Sequence, residues 1–398
     1  MKTIKDLNRI SEKKTRTIVG MMSGTSLDGI DVSLFRVRGT GSASKLTVLK
    51  NRSFQFPRGM QEMLLKNSET GGGNVTDICR LNFMVANVYT ECILKIIRSA
   101  GLTPAAVDLI GSHGQTIHHL PIEGKIFGVP AASTLQIGDP AVIAKKTGII
   151  TIGDFRTGDI ALGGQGAPLI PYFDYILYSS KKKNRALLNI GGISNMTVLP
   201  ANGKSSDAIA FDTGPGNMLI DYLTKKYFNQ PYDKNGKIGF SGTVQRNIVD
   251  FILEKDINLS MKPPKSSGRE FYGKTLLNEI VKKFKKANPA DLISSVSFYT
   301  ACSVYLNYKR YIEKKTAVQE IIVSGGGSRN LFILAMLQEL FGDTVLVTTS
   351  RAIGLNPDFK EALCFGIYAN ELIAGNPITL PQVTGAKEAT LAGKICLP

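Results

Sequence analysis

The chain has 398 residues, five cysteines and 48 Lys+Arg against 32 Asp+Glu, for a formal net charge of +16. That length supports a large core and two domains, while widely spaced cysteines without CxxC or CxxH patterns exclude a disulfide framework and a cysteine zinc site. The densest basic groups, Lys181 to Lys183 and Lys282, Lys283, Lys285 and Lys286, do not interleave with aromatic residues, so they read as solvated faces rather than a nucleic-acid surface.

The first sixteen residues are polar and basic, lack the apolar core of a signal peptide and are expected to form a loose leader. No apolar run approaches the ~20 residues of a membrane span, and a reducing cytoplasm is the expected setting. An apolar run over residues 17–22 then breaks into Ser23-Gly-Thr-Ser-Leu-Asp-Gly29 and resumes over residues 30–37, which predicts two strands joined by a tight turn. Gly24 and Gly29 are expected to relax the backbone so that amides, with the hydroxyls of Ser23, Thr25 and Ser26, converge on a phosphate. Asp28 and Asp31 accept only when ionised, and beside a phosphate they require a magnesium ion or a hydroxyl between. An ordinary hairpin turn is the competing reading.

Apolar residues at 78, 81, 85, 88, 92 and 96 mark an amphipathic helix that stops at Gly101. A short strand over residues 107–110 runs into Gly111-Ser-His-Gly-Gln-Thr-Ile117, where Ser112, His113 and Gln115 at a strand's carboxyl end are candidates to hold a hydroxylated ligand. A histidine that only caps a turn is the alternative. His118 and His119 point apart on a strand, so no metal site is implied. Asp139 and Pro140 open a short helix that Gly148 ends. The strand over residues 149–152 leads to Asp154 and Arg156, and then to a glycine-rich run with Gln165, a candidate substrate loop. A surface Asp154–Arg156 ion pair competes with that reading.

The opening pattern returns over residues 186–199, with Asn189, Gly191 and Gly192 at its turn. The two copies lie about 170 residues apart, a repeat on the scale of a domain. Asp212 is expected at the carboxyl end of the next strand, in Phe211-Asp-Thr-Gly-Pro-Gly-Asn217, where Gly214 and Gly216 let other groups approach a carboxylate suited to act as a base. A turn-stabilising aspartate is the competing reading. Residues 234–242 and 262–269 read as surface loops, with Lys265 and its neighbours able to reach a phosphate or carboxylate. Strand 320–323, Gly325, Gly326, Gly327, Asn330 and helix 331–341 offer bare backbone to a flat ring or a phosphate tail. Neither GxGxxG nor GxxxxGK[ST] is present, which excludes a Rossmann site and a P-loop. Glu361 lies near the start of the last helix, where an acidic residue commonly just favours the helix dipole.

Residues 23–31, residues 111–117, Asp154-Phe-Arg156 with Gly164-Gln-Gly-Ala-Pro168, Asn189-Ile-Gly-Gly-Ile-Ser-Asn195, Phe211 to Asn217, and Gly325-Gly-Gly327 with Asn330 together resemble the motifs of the anhydro-N-acetylmuramic acid kinase family, in the family's order and over nearly the whole chain. The resemblance implies an α/β protein of two ribonuclease-H-like domains, of the actin, hexokinase and Hsp70 type, with an interdomain ATP cleft. The domains are expected over residues 16–148 and 149–374, with 375–398 packing back on the first. ATP and Mg²⁺ are the implied cofactors, the metal ligands being left open. Ser23, Gly24, Thr25, Ser26, Asp28, Gly29, Asn189, Gly191, Gly192, Gly325, Gly326, Gly327 and Asn330 would hold the nucleotide. Ser112, His113, Gln115, Asp154, Arg156, Gln165 and Glu361 would face the sugar, and Asp212 would be the catalytic base.

The implied activity is a phosphotransferase of cell-wall sugar recycling. It opens the 1,6-anhydro bridge of anhydro-N-acetylmuramic acid with water and phosphorylates O6, giving the sugar 6-phosphate and ADP. Neither nucleic acid nor membrane is an expected partner, and a homodimer is left open. The long leader, an apparent insertion at residues 124–133 and an unusual tail at residues 383–388 bear on substrate, so a levoglucosan kinase giving glucose 6-phosphate is the alternative. A non-kinase nucleotide switch of the actin or Hsp70 kind is a more distant one.

Overall fold

The computed structural model describes residues 2–398 apart from 26, 70, 264, 266, 352, 353 and 355, and leaves out the side chains of Arg269, Glu270 and Lys274. The strands among the described residues are β1 (Thr15–Met22), β2 (Ile30–Arg38), β3 (Lys45–Phe54), β4 (Leu109–Ser112), β5 (Gln115–Ile126), β6 (Val129–Ile137), β7 (Ile150–Gly153), β8 (Arg185–Ile190), β9 (Ile193–Leu199), β10 (Ile209–Pro215), β11 (Glu320–Ser324), β12 (Leu346–Thr349) and β13 (Lys394–Cys396). They form one sheet in the order β13-β7-β4-β1-β2-β3, a second in the order β10-β9-β8-β11-β12, and a ribbon of β5 with β6. In both large sheets the first three strands are antiparallel neighbours, and the first strand pairs in parallel with the fourth, which pairs in parallel with the fifth. This 3-2-1-4-5 order is the ribonuclease-H-like arrangement. The repeated hairpin motif therefore marks a repeated topology.

The chain divides into two compact units, Met1–Leu177 with Asp358–Pro398, and Tyr178–Pro357. The boundaries fall there rather than at 148/149 and 374/375 because β7 completes the first sheet beside β4 and helix Lys360–Ile373 covers β1 and β4. The tail does return to the first unit, where β13 pairs antiparallel with β7.

In the first unit Val19 and Met21 enter a core with Leu81, Val85, Tyr89 and Ile93 of helix Val75–Ser99. Gly20 therefore points to the opposite face, because side chains alternate along a strand. There helix Lys360–Ile373 lies at backbone contact: a Cβ on Gly20 would sit 1.9 Å from the Ala362 carbonyl oxygen, and one on Gly111 2.0 Å from that of Phe365. Helices on both faces explain why β4 and β7 are buried along their whole length. In the second unit Ala186, Leu188, Ile321 and Val323 join Leu219, Val296, Val304 and Leu337 in one core. Among the described residues no helix is long and apolar enough to cross a membrane.

The expected loose leader is instead a docked helix, Ile4–Ser11. Ile10 is buried, Arg16 donates to the Ile10 carbonyl at 2.8 Å and to Asn370 Oδ1 at 2.8 Å, and Lys13 pairs with Asp108 at 2.6 Å. Basic composition hid one anchoring apolar residue and three cations with specific acceptors, Lys2 being the third through Val107 O at 2.7 Å. Residues 124–133 form the tip of the β5–β6 ribbon.

Candidate functional site

In the first unit, the β1–β2 turn is built differently from the expected glycine nest. Its left-handed residue is Leu27, with φ 56°, whose carbonyl accepts from Gln61 Nε2. Gly29 lies close to the end of β3, where a Cβ would come 3.2 Å from Phe54 O. The Ser23 hydroxyl is buried, bonded to Tyr89 Oη and donating to Gln115 Oε1 at 2.7 Å, while Gln115 Nε2 donates to Gly24 O at 3.2 Å. Ser23 and Gln115 thus brace the turn. Thr25 and Asp28 are exposed on it, and Ser26 lies outside the described residues. Behind it, Asp31 accepts from Ser53 Oγ, and desolvation, with the charges of Asp28 and Asp358, raises its carboxyl above the usual range.

At the carboxyl end of β4, His113 is buried against Phe365, ring centroids 4.6 Å apart. Its Nδ1 lies 2.8 Å from Gly114 O and Arg156 Nε donates to its Nε2 at 3.0 Å. Those partners assign the proton to Nδ1. Burial, and secondarily the Arg156 charge, hold the imidazole down to about 3, so it is neutral at physiological pH. Arg156 also donates from Nη1 to Gly166 O at 2.7 Å. The Ser112 hydroxyl is buried and has no hydrogen-bond partner among the described residues. Glu361 joins this cluster: desolvation raises its carboxyl, and the Arg156 charge pulls it back. His113, Arg156 and Glu361 are thereby brought together, whereas Ser112, in register with Met21, belongs to the opposite face of the sheet.

Asp154 pairs with Lys394 of β13, not with Arg156, which corrects the expected ion pair within that segment. Gln165 is exposed, and its main-chain N–H donates to Thr384 O at 2.8 Å. The organiser of the glycine-rich loop is Asp159, which sequence reasoning missed. Fully buried, it accepts from Gly166 N and Thr384 Oγ1, each at 2.7 Å. The signal available was an acidic residue four positions before the glycine-rich residues 163–166.

In the second unit three segments converge. The β8–β9 turn offers the carbonyls of Gly191 and Gly192 to the amides of Asn217 at 2.7 Å and Gly216 at 2.9 Å. Only glycine fits at 216, where a Cβ would lie 2.3 Å from Gly191 O. Gly325, with φ 77°, brings its segment against Asn189 Oδ1 and Ile190 O, each 2.7 Å from the position of an added Cβ. Gly326 and Gly327 follow in a helical turn. Asn330, expected at the nucleotide, spends its side-chain oxygen capping helix Leu331–Phe341, accepting from Phe332 N and Ile333 N at 3.1 and 3.2 Å.

Asp212 sits at a bulge inside β10, not at its end, because pairing with β9 resumes at Gly214. The bulge re-aims the carboxylate, and Ser267 N donates to its Oδ2 at 2.7 Å. Beneath it, helix Pro289–Tyr311 holds the motif: Asn307 Nδ2 donates to Thr213 O at 2.8 Å and Thr300 Oγ1 to Gly216 O at 3.0 Å. An oriented, half-buried carboxylate beside glycine-lined main chain is chemically suited to take a proton.

A family model described as anhydro-N-acetylmuramic acid kinase matches residues 16–398. A protein of that name from Caldanaerobacter subterraneus subsp. tengcongensis is 44% identical over 395 residues, covering 98% of this chain and 99% of that protein. One from Bacillus cereus is 42% identical over 382 residues, covering 96% and 99%, respectively. One from Salinibacter ruber is 38% identical over 391 residues, covering 98% of each. With the match spanning the motifs of both units, the chain belongs to the anhydro-N-acetylmuramic acid kinase family.

Proposed function

We propose that this chain carries out its family's reaction, the ATP-dependent opening and phosphorylation of anhydro-N-acetylmuramic acid, with Asp212 as the base. The observation that carries this reading is the Asp212 carboxylate, aimed by a strand bulge and by the Ser267 amide at 2.7 Å. Water adds at the anomeric carbon as its proton passes to Asp212, the bond from that carbon to O6 breaks, and O6 takes the γ-phosphoryl group as ADP departs. Positioning and charge stabilisation supply most of the rate for such a transfer.

Asn189, Gly191, Gly192 and Gly325 to Gly327 would hold the nucleotide through main-chain groups, and Thr25 would give the phosphates a hydroxyl. Arg156 and Glu361 would hold the sugar. Neutral His113 would act through Arg156, whose Nε it accepts, rather than by moving a proton. Among the described residues no group of three or more His, Cys, Asp or Glu side chains could hold a metal. Asp28 and Asp31 would be the protein ligands of a magnesium ion carried mainly by the nucleotide phosphates. When bound, the ion would neutralise phosphoryl charge; the raised Asp31 carboxyl fits a site that a cation relieves. A cytoplasmic setting, where ATP is present, accords with this reading.

ADP release should be measured with anhydro-N-acetylmuramic acid, levoglucosan, glucose and N-acetylglucosamine side by side. The first is expected to dominate; levoglucosan dominating would move the substrate to the anhydro form of glucose. In ¹⁸O-water, early sugar product should carry one solvent oxygen at C1 and none in its phosphate. Label in the phosphate, or equal turnover of free N-acetylmuramic acid, overturns the mechanism.

A further inference from the structure

Lys265, expected in a surface loop, is 6% exposed. Its Nζ donates to Asn258 O at 2.7 Å and lies 5.2 Å from the Tyr311 ring centroid and 5.9 Å from that of Phe211. Phe211 is the neighbour of Asp212. The Lys265 carbonyl accepts the Asp212 amide at 3.1 Å, and two residues on, the Ser267 amide reaches the Asp212 carboxylate. One short segment thus grips Asp212 by both main chain and side chain.

The anchor at the other end is buried and hydrogen-bonded. Asn258 is fully buried in the short helix Ile257–Ser260, which Asp256 caps through Leu259 N at 3.1 Å. The buried Asp256 carboxylate also takes the Tyr272 hydroxyl at 2.8 and 2.9 Å and the Tyr299 hydroxyl. Arg310 Nη1 donates to Leu259 O at 3.0 Å. A lysine that reached for phosphate would leave its ammonium in solvent; this one is turned inward.

We propose that Lys265 is a positioning residue for Asp212, its buried ammonium fastening the segment that orients the carboxylate to the helical anchor at Asn258. The proposal rests on the reading of Asp212 as base. Charged and titratable groups around Lys265 are Asp256 and Asp212, which favour its ammonium, and Arg310, which opposes it, with Tyr311 stacked on the head group. Burial outweighs these and lowers the ammonium to about 8. Above that pH the lysine is an amine, its attraction to Asp256 and the aromatic faces is lost, and the fastening weakens.

The test is steady-state ADP release from about pH 6 to about pH 9.5 for the wild type, Lys265→Met, Lys265→Arg and Asp212→Asn, with ATP binding followed by calorimetry and folding by circular dichroism. Lys265→Met should lower kcat by roughly tenfold to a hundredfold, as small misplacements of a reacting group do, with KM for ATP changed less than about twofold. The wild type should lose kcat on the alkaline side with a midpoint near 8, and Lys265→Arg should retain most of kcat while moving that decline upward. Unchanged kcat in Lys265→Met overturns the proposal, as does a raised KM for ATP at constant kcat, the signature of a phosphate ligand. Should Lys265→Met fail to fold, an alkaline decline identical in the wild type and Lys265→Arg, or absent from the wild type, overturns it equally. Turnover surviving in Asp212→Asn would instead remove the base assignment, a separate failure read from a separate variant.

Discussion

The two units share one strand order, yet the turns between their first two strands are built by opposite means. In the first unit the turn spans residues 23–29 and is braced from outside by the side chains of Tyr89, Gln115 and Gln61. In the second it is only Gly191 and Gly192, and main-chain amides of the Gly216 segment brace it. A repeated topology here does not repeat its chemistry. Side-chain bracing leaves exposed hydroxyls and carboxylates such as Thr25 and Asp28 on the first turn, whereas main-chain bracing ties the second turn to the bulged strand carrying Asp212.

Breaking the second unit at its centre should have the largest effect. Asp212→Asn keeps the shape and accepts no proton, so kcat should drop by roughly 10²- to 10⁴-fold with ATP affinity nearly intact by calorimetry; near-normal turnover removes the assignment. Backbone contact in each unit gives the next comparison. Gly20→Ala puts a Cβ 1.9 Å from Ala362 O, and Gly216→Ala one 2.3 Å from Gly191 O. Neither neighbour is a flexible side-chain end, so each should destabilise by about 3 kcal/mol or more. The first should lower thermal stability, and the second should also weaken ATP binding. Equal ATP affinity in both variants would mean that the β8–β9 turn does not touch nucleotide.

A pH effect sharpens the view of the first unit. His113 titrates at about 3 when folded, against 6.5 for an unperturbed histidine, so between those values the unfolded chain binds the extra proton. Stability therefore rises with pH through that window, is fully present above it and is lost as pH falls. Moving from neutral pH to about pH 5 should cost about 2 kcal/mol from this residue. Urea unfolding of His113→Gln at both pH values should show that much less dependence; an unchanged slope would mean that the imidazole is not held neutral. The smallest effect separates two hydroxyls of one turn. Thr25→Val should raise KM for ATP roughly severalfold at constant melting temperature, and Ser23→Ala, which removes a buried hydroxyl, should cost on the order of 1 kcal/mol of stability. The reverse pattern would exchange their roles.

Local pattern carried much of this protein. Alternating and three-four apolar spacing located helix Val75–Ser99 and both hairpins, and Asp139-Pro140 with Gly148 bounded helix Pro140–Thr147 as capping chemistry requires. Motif order pointed to the family. Those features are legible because the residues that cause them are neighbours in the chain. What tertiary structure decided are pairings across long separations, where one residue type permits several partners. Asp154 chose Lys394 over Arg156, two residues away. Ser23 and Gln115 turned to each other, and Asn330 turned to the helix it begins. Gly20 and Gly111 gain their reason only where helix Lys360–Ile373 lies against them, the same helix that carries Glu361 toward Arg156. Lys265, polar and set among loop residues, became a buried anchor because Asn258 offers a fixed carbonyl and Phe211 and Tyr311 offer faces to its charge. A side chain's chemistry is written at its own position, but its acceptor and its dielectric surroundings come from segments that only folding brings near.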